Sequence, residues 1–104
     1  MTQLTLDCRH IERSAALESR VRESLRRLER LNDRIDRCWL TVEGPVPEGG
    51  NSSYLVRIEL NLPGARINAG NWPQGPEPHT DVYRALREAF EDAKRQLQSL
   101  RWDS

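Results

Sequence analysis

The chain has no excess of charge of either sign. Sixteen Lys and Arg balance sixteen Asp and Glu over 104 residues, so the formal net charge is zero. No global field therefore draws the whole molecule to nucleic acid, and any anion binding has to come from a local segregation of cations. Cysteine is equally sparse. Cys8 and Cys38 lie far apart and each continues an alternating apolar segment, which suits buried reduced thiols better than a disulfide framework. Together with His10 and His79 they are the residue types of a zinc site, but no paired short spacing such as C-x-x-C supports one, and neither a metal nor another cofactor is expected. No glycine-rich loop opens a helix to cradle phosphate. The carboxylates sit between arginines on helical segments rather than as an isolated acid/base pair, and the expectation is a binding protein, not an enzyme, with no small-molecule substrate. No apolar run approaches the length of a membrane span and the first residues are strand-like, so no membrane contact is expected and the protein is placed in the cytoplasm.

What is present is periodicity. Apolar residues make up 37% of the chain and are concentrated in regular segments, enough for a single domain over residues 1–104 built around one two-layer core. Leu4, Leu6 and Cys8 alternate with polar neighbours, predicting a strand over residues 3 to 8. Ser14 is a candidate helix N-cap, and Leu17, Val21, Leu25, Leu28 and Leu31 keep to one helical face up to Asn32. Residues 35 to 43 alternate again, followed by a loop rich in Gly, Pro and Ser. The longest strand signal runs through Tyr54, Val56, Ile58, Leu60 and Leu62, and Pro63-Gly64 turns it back into a fourth strand carrying Ala65, Ile67 and Ala69. A second irregular loop from Asn71 to Pro78 precedes a helix starting at Thr80 or Asp81, whose core face is Val82, Leu86, Ala89, Phe90, Ala93, Leu97 and Leu100.

The fold class expected from this β-α-β-β-β-α order is α+β. A right-handed crossover sets the first two strands parallel, hairpins add the other two antiparallel, and both helices cover one face of the four-stranded mixed sheet. The other face, bearing Arg37, Trp39, Thr41, Leu55, Arg57, Arg66 and Asn68, is left open.

Two surfaces are candidates for function. Arg22, Arg26 and Arg30 form a row at i, i+4, i+8 on the outer face of the first helix, and Arg87, Lys94 and Arg101 line one shoulder of the second while Glu88 and Asp92 line the other. Such a row fits an anionic surface; it also serves simply to solvate an amphipathic helix, and the pattern alone leaves both readings open. Trp39 on the open sheet and Trp72 in the Pro/Gly loop are candidates for stacking on an unpaired base or packing into a protein groove, with Arg37, Arg57 and Arg66 nearby, although burial of Trp72 against the core edge is an equal alternative.

Several strings in their order resemble the ribosome hibernation-promoting factor family, also known as ribosome-associated inhibitor or sigma-factor modulation proteins. They are Leu4-Thr5-Leu6 with Arg9-His10-Ile11-Glu12, Leu25-Arg26-Arg27-Leu28-Glu29-Arg30 with Asp33-Arg34-Ile35, Tyr54-Leu55-Val56-Arg57-Ile58 with Leu62-Pro63-Gly64, and above all Asp81-Val82-Tyr83-Arg84-Ala85-Leu86-Arg87 with Lys94-Arg95-Gln96-Leu97. The resemblance implies binding to the rRNA of the small ribosomal subunit near the decoding region, which silences idle ribosomes under stress or in stationary phase by occlusion. By similarity, the contacts are Arg22, Arg26, Arg30, Arg84, Arg87, Lys94, Arg95 and Arg101. Compared with typical members the chain is neutral, has no basic residue between positions 44 and 53, has a longer loop from 71 to 78, and resembles a short form without a C-terminal domain. The alternative is a divergent domain of the same fold that binds another RNA or a protein through its open sheet.

Overall fold

The computed structural model describes residues 2–44, 54–70 and 81–100. The element order is β1 (Gln3–Arg9), α1 (Ala15–Leu31), β2 (Arg37–Glu43), β3 (Leu55–Leu62), β4 (Ala65–Gly70) and α2 (Val82–Ser99). The strands form one sheet in the order β1-β2-β3-β4, with β1 and β2 parallel and the two following pairs antiparallel. This is the α+β sandwich expected from the periodicity.

Register explains why one face is apolar. Leu6, Leu40, Ile58 and Ala69 stand side by side across the sheet, as do Leu4, Cys38, Leu60 and Ile67. Because side chains alternate along a strand, these rows share one face, and a slip of one residue would turn every one of them to solvent. Leu17, Val21, Leu25 and Leu28 of α1 and Ala85, Leu86, Ala89, Phe90, Ala93 and Leu97 of α2 complete the same core. Each fully buried Leu, Val or Ile contributes roughly 1.5–3 kcal/mol relative to an exposed one.

Local chemistry fixes the helix ends. The Ser14 hydroxyl accepts the Leu17 amide at 3.1 Å, and the Asp81 carboxylate accepts the Tyr83 amide at 2.9 Å, so each cap satisfies a first-turn donor. At the far end of α1 the Asn32 amide donates to Leu28, and the Asn32 side chain accepts the Arg34 amide at 2.9 Å, bending the chain toward β2. β2 begins at Arg37 rather than at residue 35, although Ile35 is already buried and Asp36 already bonds to Gln3 and Asn61. Gly64, with φ of 75°, closes the β3–β4 hairpin after Pro63 in a conformation that side-chain-bearing residues rarely adopt.

Where β1 and β2 end, Gly44 donates its amide to the Arg9 carbonyl at 2.7 Å, and a β-carbon there would stand 2.3 Å from the His10 carbonyl oxygen. His10 itself takes a positive φ of 56°. A Gly44→Ala substitution is therefore expected to destabilise the fold by about 1–3 kcal/mol, because backbone rather than a flexible side chain must move. An unchanged denaturant midpoint would show that the strand ends separate freely.

The two thiols are free. Cys38 is fully buried, and desolvation pushes its thiol up to about 12, whereas the half-buried Cys8 thiol is raised by burial, partly offset by the Arg13 charge. At pH 8 iodoacetamide is expected to modify Cys8 well before Cys38 in the folded protein, since the thiolate is the reacting form. Equal rates by mass spectrometry would contradict the sealed core.

Candidate nucleic-acid interface

The side of the helix layer that faces away from the sheet carries most of the chain's distinctive charge. On α1 the buried leucine stripe turns Arg22, Arg26 and Arg30 to the opposite side, as a period of 3.6 requires, and all three are exposed. A second stripe of α1, Arg20, Ser24, Arg27 and Leu31, faces α2. It meets Tyr83, Leu86, Arg87, Phe90 and Lys94 across a groove of about 280 Å3 that also includes Glu23, Leu28 and Glu91. The Arg20 guanidinium lies over the Tyr83 ring, 5.3 Å from its centroid, a cation–π contact that ties the two helices at the groove wall.

The eight cations singled out from the sequence divide into distinct groups. Arg22 is held by Glu18 at 3.1 Å, Arg84 by Glu88 at 3.4 Å and Arg95 by Asp92, so carboxylates one helical turn away already neutralise part of their charge. Arg26, Arg30, Arg87 and Lys94 make no ion pair among the described residues. Arg87 and Lys94 line the groove, Arg26 and Arg30 stand exposed on α1, and Arg84 and Arg95 do not line the groove but pair toward Glu88 and Asp92 on the other shoulder of α2. Arg101 lies outside the described residues.

That other shoulder has a structural task. The Asp92 carboxylate accepts the Gly70 amide at 3.3 Å at the end of β4, and the Gln96 side chain donates to the Asn68 carbonyl at 2.8 Å. Asp92 and Gln96 thus fasten α2 to the sheet edge, and Arg95 pairs with a carboxylate that is already engaged.

Sequence reasoning missed Arg20, Arg27, Leu31 and Tyr83. The 4-3-4 spacing of Arg20, Ser24, Arg27 and Leu31 was visible, but only the position of α2 beside that stripe gives it meaning. Arg27 is also paired with Glu23, at 3.0 Å.

The open sheet face is as the alternation implied. Trp39 is 45% exposed and lies in a shallow depression with Thr41, Arg57, Glu59 and Asn68. Arg66 is paired with Glu59 at 3.6 Å, Arg9 with Asp7 at 3.2 Å, and Arg37 reaches the Gln3 side chain at 3.5 Å. Arg57 makes no ion pair among the described residues. Trp72, the second stacking candidate, and His79 lie outside those residues. Among them, no group of three or more His, Cys, Asp or Glu side chains is placed to hold a metal ion, and no helix is long and apolar enough to cross a membrane.

Comparison with known proteins identifies the architecture. The chain spans 92% of its own length and about half (47%) of the ribosome hibernation promotion factor of Deinococcus radiodurans, with 29% identity over 96 residues. Its fold superimposes on a ribosomal subunit interface protein from Coxiella burnetii with a TM-score of 0.73 at 19% identity, covering 94% of each chain. The N-terminal domain of Thermus thermophilus Protein Y gives 0.74 at 22% identity, covering 97% of this chain and all of that one. Both likenesses concern the fold. The model of the family described as sigma 54 modulation protein / S30EA ribosomal protein matches residues 4–101, nearly the whole chain, and the protein belongs to that family.

Proposed function

We propose that this domain binds the small ribosomal subunit through its helix layer, against rRNA near the decoding region, and silences idle ribosomes in the cytoplasm under stress or in stationary phase. The action is occlusion by binding, with no bond made or broken. The observation that carries the reading is that Arg26 and Arg30, exposed on α1, and Arg87 and Lys94, in the groove between the helices, make no ion pair among the described residues of a chain that is neutral overall and belongs to the S30EA family. Cations not already committed to carboxylates are the ones that release counterions when they meet phosphate, which makes the affinity independent of sequence and sensitive to salt. A-form RNA presents phosphates and 2′-hydroxyls over a broad surface, and a row of arginines on a rigid helix matches it by shape.

Ion pairing ranks the seven candidate residues that lie within the described part of the chain. Arg26, Arg30, Arg87 and Lys94 act directly, whereas Arg22, Arg84 and Arg95 must first exchange a carboxylate for a phosphate. With purified small subunits, the wild-type protein is expected to co-sediment saturably and less well as salt rises; absence of pelleting at low salt would refute the reading. The pair Arg87→Gln and Lys94→Gln is expected to lower the slope of log affinity against log salt by about 2, one for each phosphate contact removed. The pair Arg84→Gln and Arg95→Gln is expected to lower it by less, and an equal effect of the two pairs would overturn the ranking.

One observation favours a second reading, in which the open sheet holds another RNA or a protein: the exposed Trp39 beside Arg57. Trp39→Ala is expected to leave co-sedimentation unchanged if the helix layer is the ribosome-facing side. Loss of pelleting in that variant would move the interface to the sheet.

A further inference from the structure

We propose that the groove between α1 and α2 seats one unpaired nucleotide of the bound RNA. The inference rests on the rRNA-binding reading above and adds a specific contact to it. The groove combines two chemistries that phosphate binding alone does not require. Its rim carries Arg20, Arg27, Arg87 and Lys94 against Glu23 and Glu91, and Glu23 is already held by Arg27. Its wall is apolar and wet, with Leu31 48% and Tyr83 37% exposed beside buried Phe90.

A continuous A-form duplex offers this wall nothing, because it presents phosphates and hydroxyls and keeps its base faces stacked inside. An unpaired nucleotide supplies both halves. Its base has an apolar face that covers Leu31 and Tyr83, and the phosphates flanking it fall to the cationic rim. Arg20 adds a planar guanidinium, held over the Tyr83 ring, of the kind on which unstacked bases lie. The space, about 280 Å3, is small and lies between two helices fixed by a shared core, so it admits a single extruded base and not a helix. Charge decides against an apolar protein segment as occupant, since the four cations of the rim outnumber its two carboxylates, one of which Arg27 already holds, and an uncharged anchor would leave that excess unanswered.

The test compares the affinity of the protein for a short RNA hairpin and for the same hairpin carrying a one-nucleotide bulge, by fluorescence anisotropy. The bulged RNA is expected to bind about tenfold more tightly, the order of effect that one stacked base produces. Leu31→Ser and Tyr83→Ala, both at exposed positions, are expected to abolish that preference while changing affinity for the unbulged hairpin by less than about twofold. Leu31→Ser decides the matter on its own if Tyr83→Ala fails to fold by circular dichroism. Equal affinity of the wild-type protein for the two hairpins, with salt-sensitive binding to both, overturns the nucleotide seat and leaves the rRNA reading standing. Failure to bind either hairpin, joined to failure to pellet with small subunits, overturns both. Binding of an acidic peptide with apolar anchors that RNA does not displace would assign the groove to a protein and also overturn the proposal.

Discussion

Because β1 and β2 run parallel, the chain between them has to return across one face of the sheet, and α1 is that return path. Everything else in the domain follows from this placement. Once α1 covers the half of the sheet nearer β1, the apolar rows that continue through β3 and β4 stay wet unless α2 lies beside it, on the same face. Two parallel layers then make two surfaces of different kinds. One is an open sheet face on which Trp39 is exposed and Arg66 pairs with Glu59 across β3 and β4. The other is a ridged helix layer with a groove along the junction of α1 and α2.

The strands and helices were legible because each repeats a single local rule. Period-2 alternation through Tyr54 to Leu62 and the leucine stripe from Leu17 to Leu28 state which residues go inside, and the caps at Ser14 and Asp81 state where helices start. Boundaries were less legible where a side chain intervenes locally, as Asn32 does before β2. The basic row Arg22, Arg26, Arg30 was visible for the same reason the leucine stripe was. The groove was not, because it belongs to neither helix: Arg20 and Tyr83 are neighbours only after the core has brought α1 and α2 together. Nor does composition say which arginine meets a carboxylate. Arg84 and Arg87 are three residues apart in the same motif, yet Arg84 is held by Glu88 and Arg87 opens into the groove.

A neutral net charge is compatible with binding an anion when pairing is uneven. Exposed pairs such as Arg22 with Glu18 and Arg27 with Glu23 add little to stability, about 0.3–0.5 kcal/mol each for helical i, i+4 geometry. Their larger effect is on the potential outside the protein, where each cancels most of a charge. Among the described residues Asp7, Glu18, Glu23, Glu59, Glu88 and Asp92 are spent in that way, on arginines of α1, α2 and the sheet, while Arg26, Arg30, Arg87 and Lys94 keep their charge uncancelled by a direct pair. A uniformly basic domain attracts any polyanion; a neutral one with a short cationic strip attracts only a surface that reaches the strip, which trades reach for discrimination.

That discrimination has a geometric source in the position of the strip. Arg26 and Arg30 stand on a convex crest, where they reach a phosphate backbone without constraining the shape behind it. Arg87 and Lys94 are set at a concave junction, beside the exposed ring of Tyr83, where a phosphate can approach only if what is attached to it fits the groove. On the proposed rRNA-binding reading the crest contributes attraction, while the groove contributes selection. Both depend on the α1–α2 spacing that the core fixes, so on that reading a mutation in Leu28, Leu86 or Phe90 that shifts one helix changes recognition without touching a charged residue.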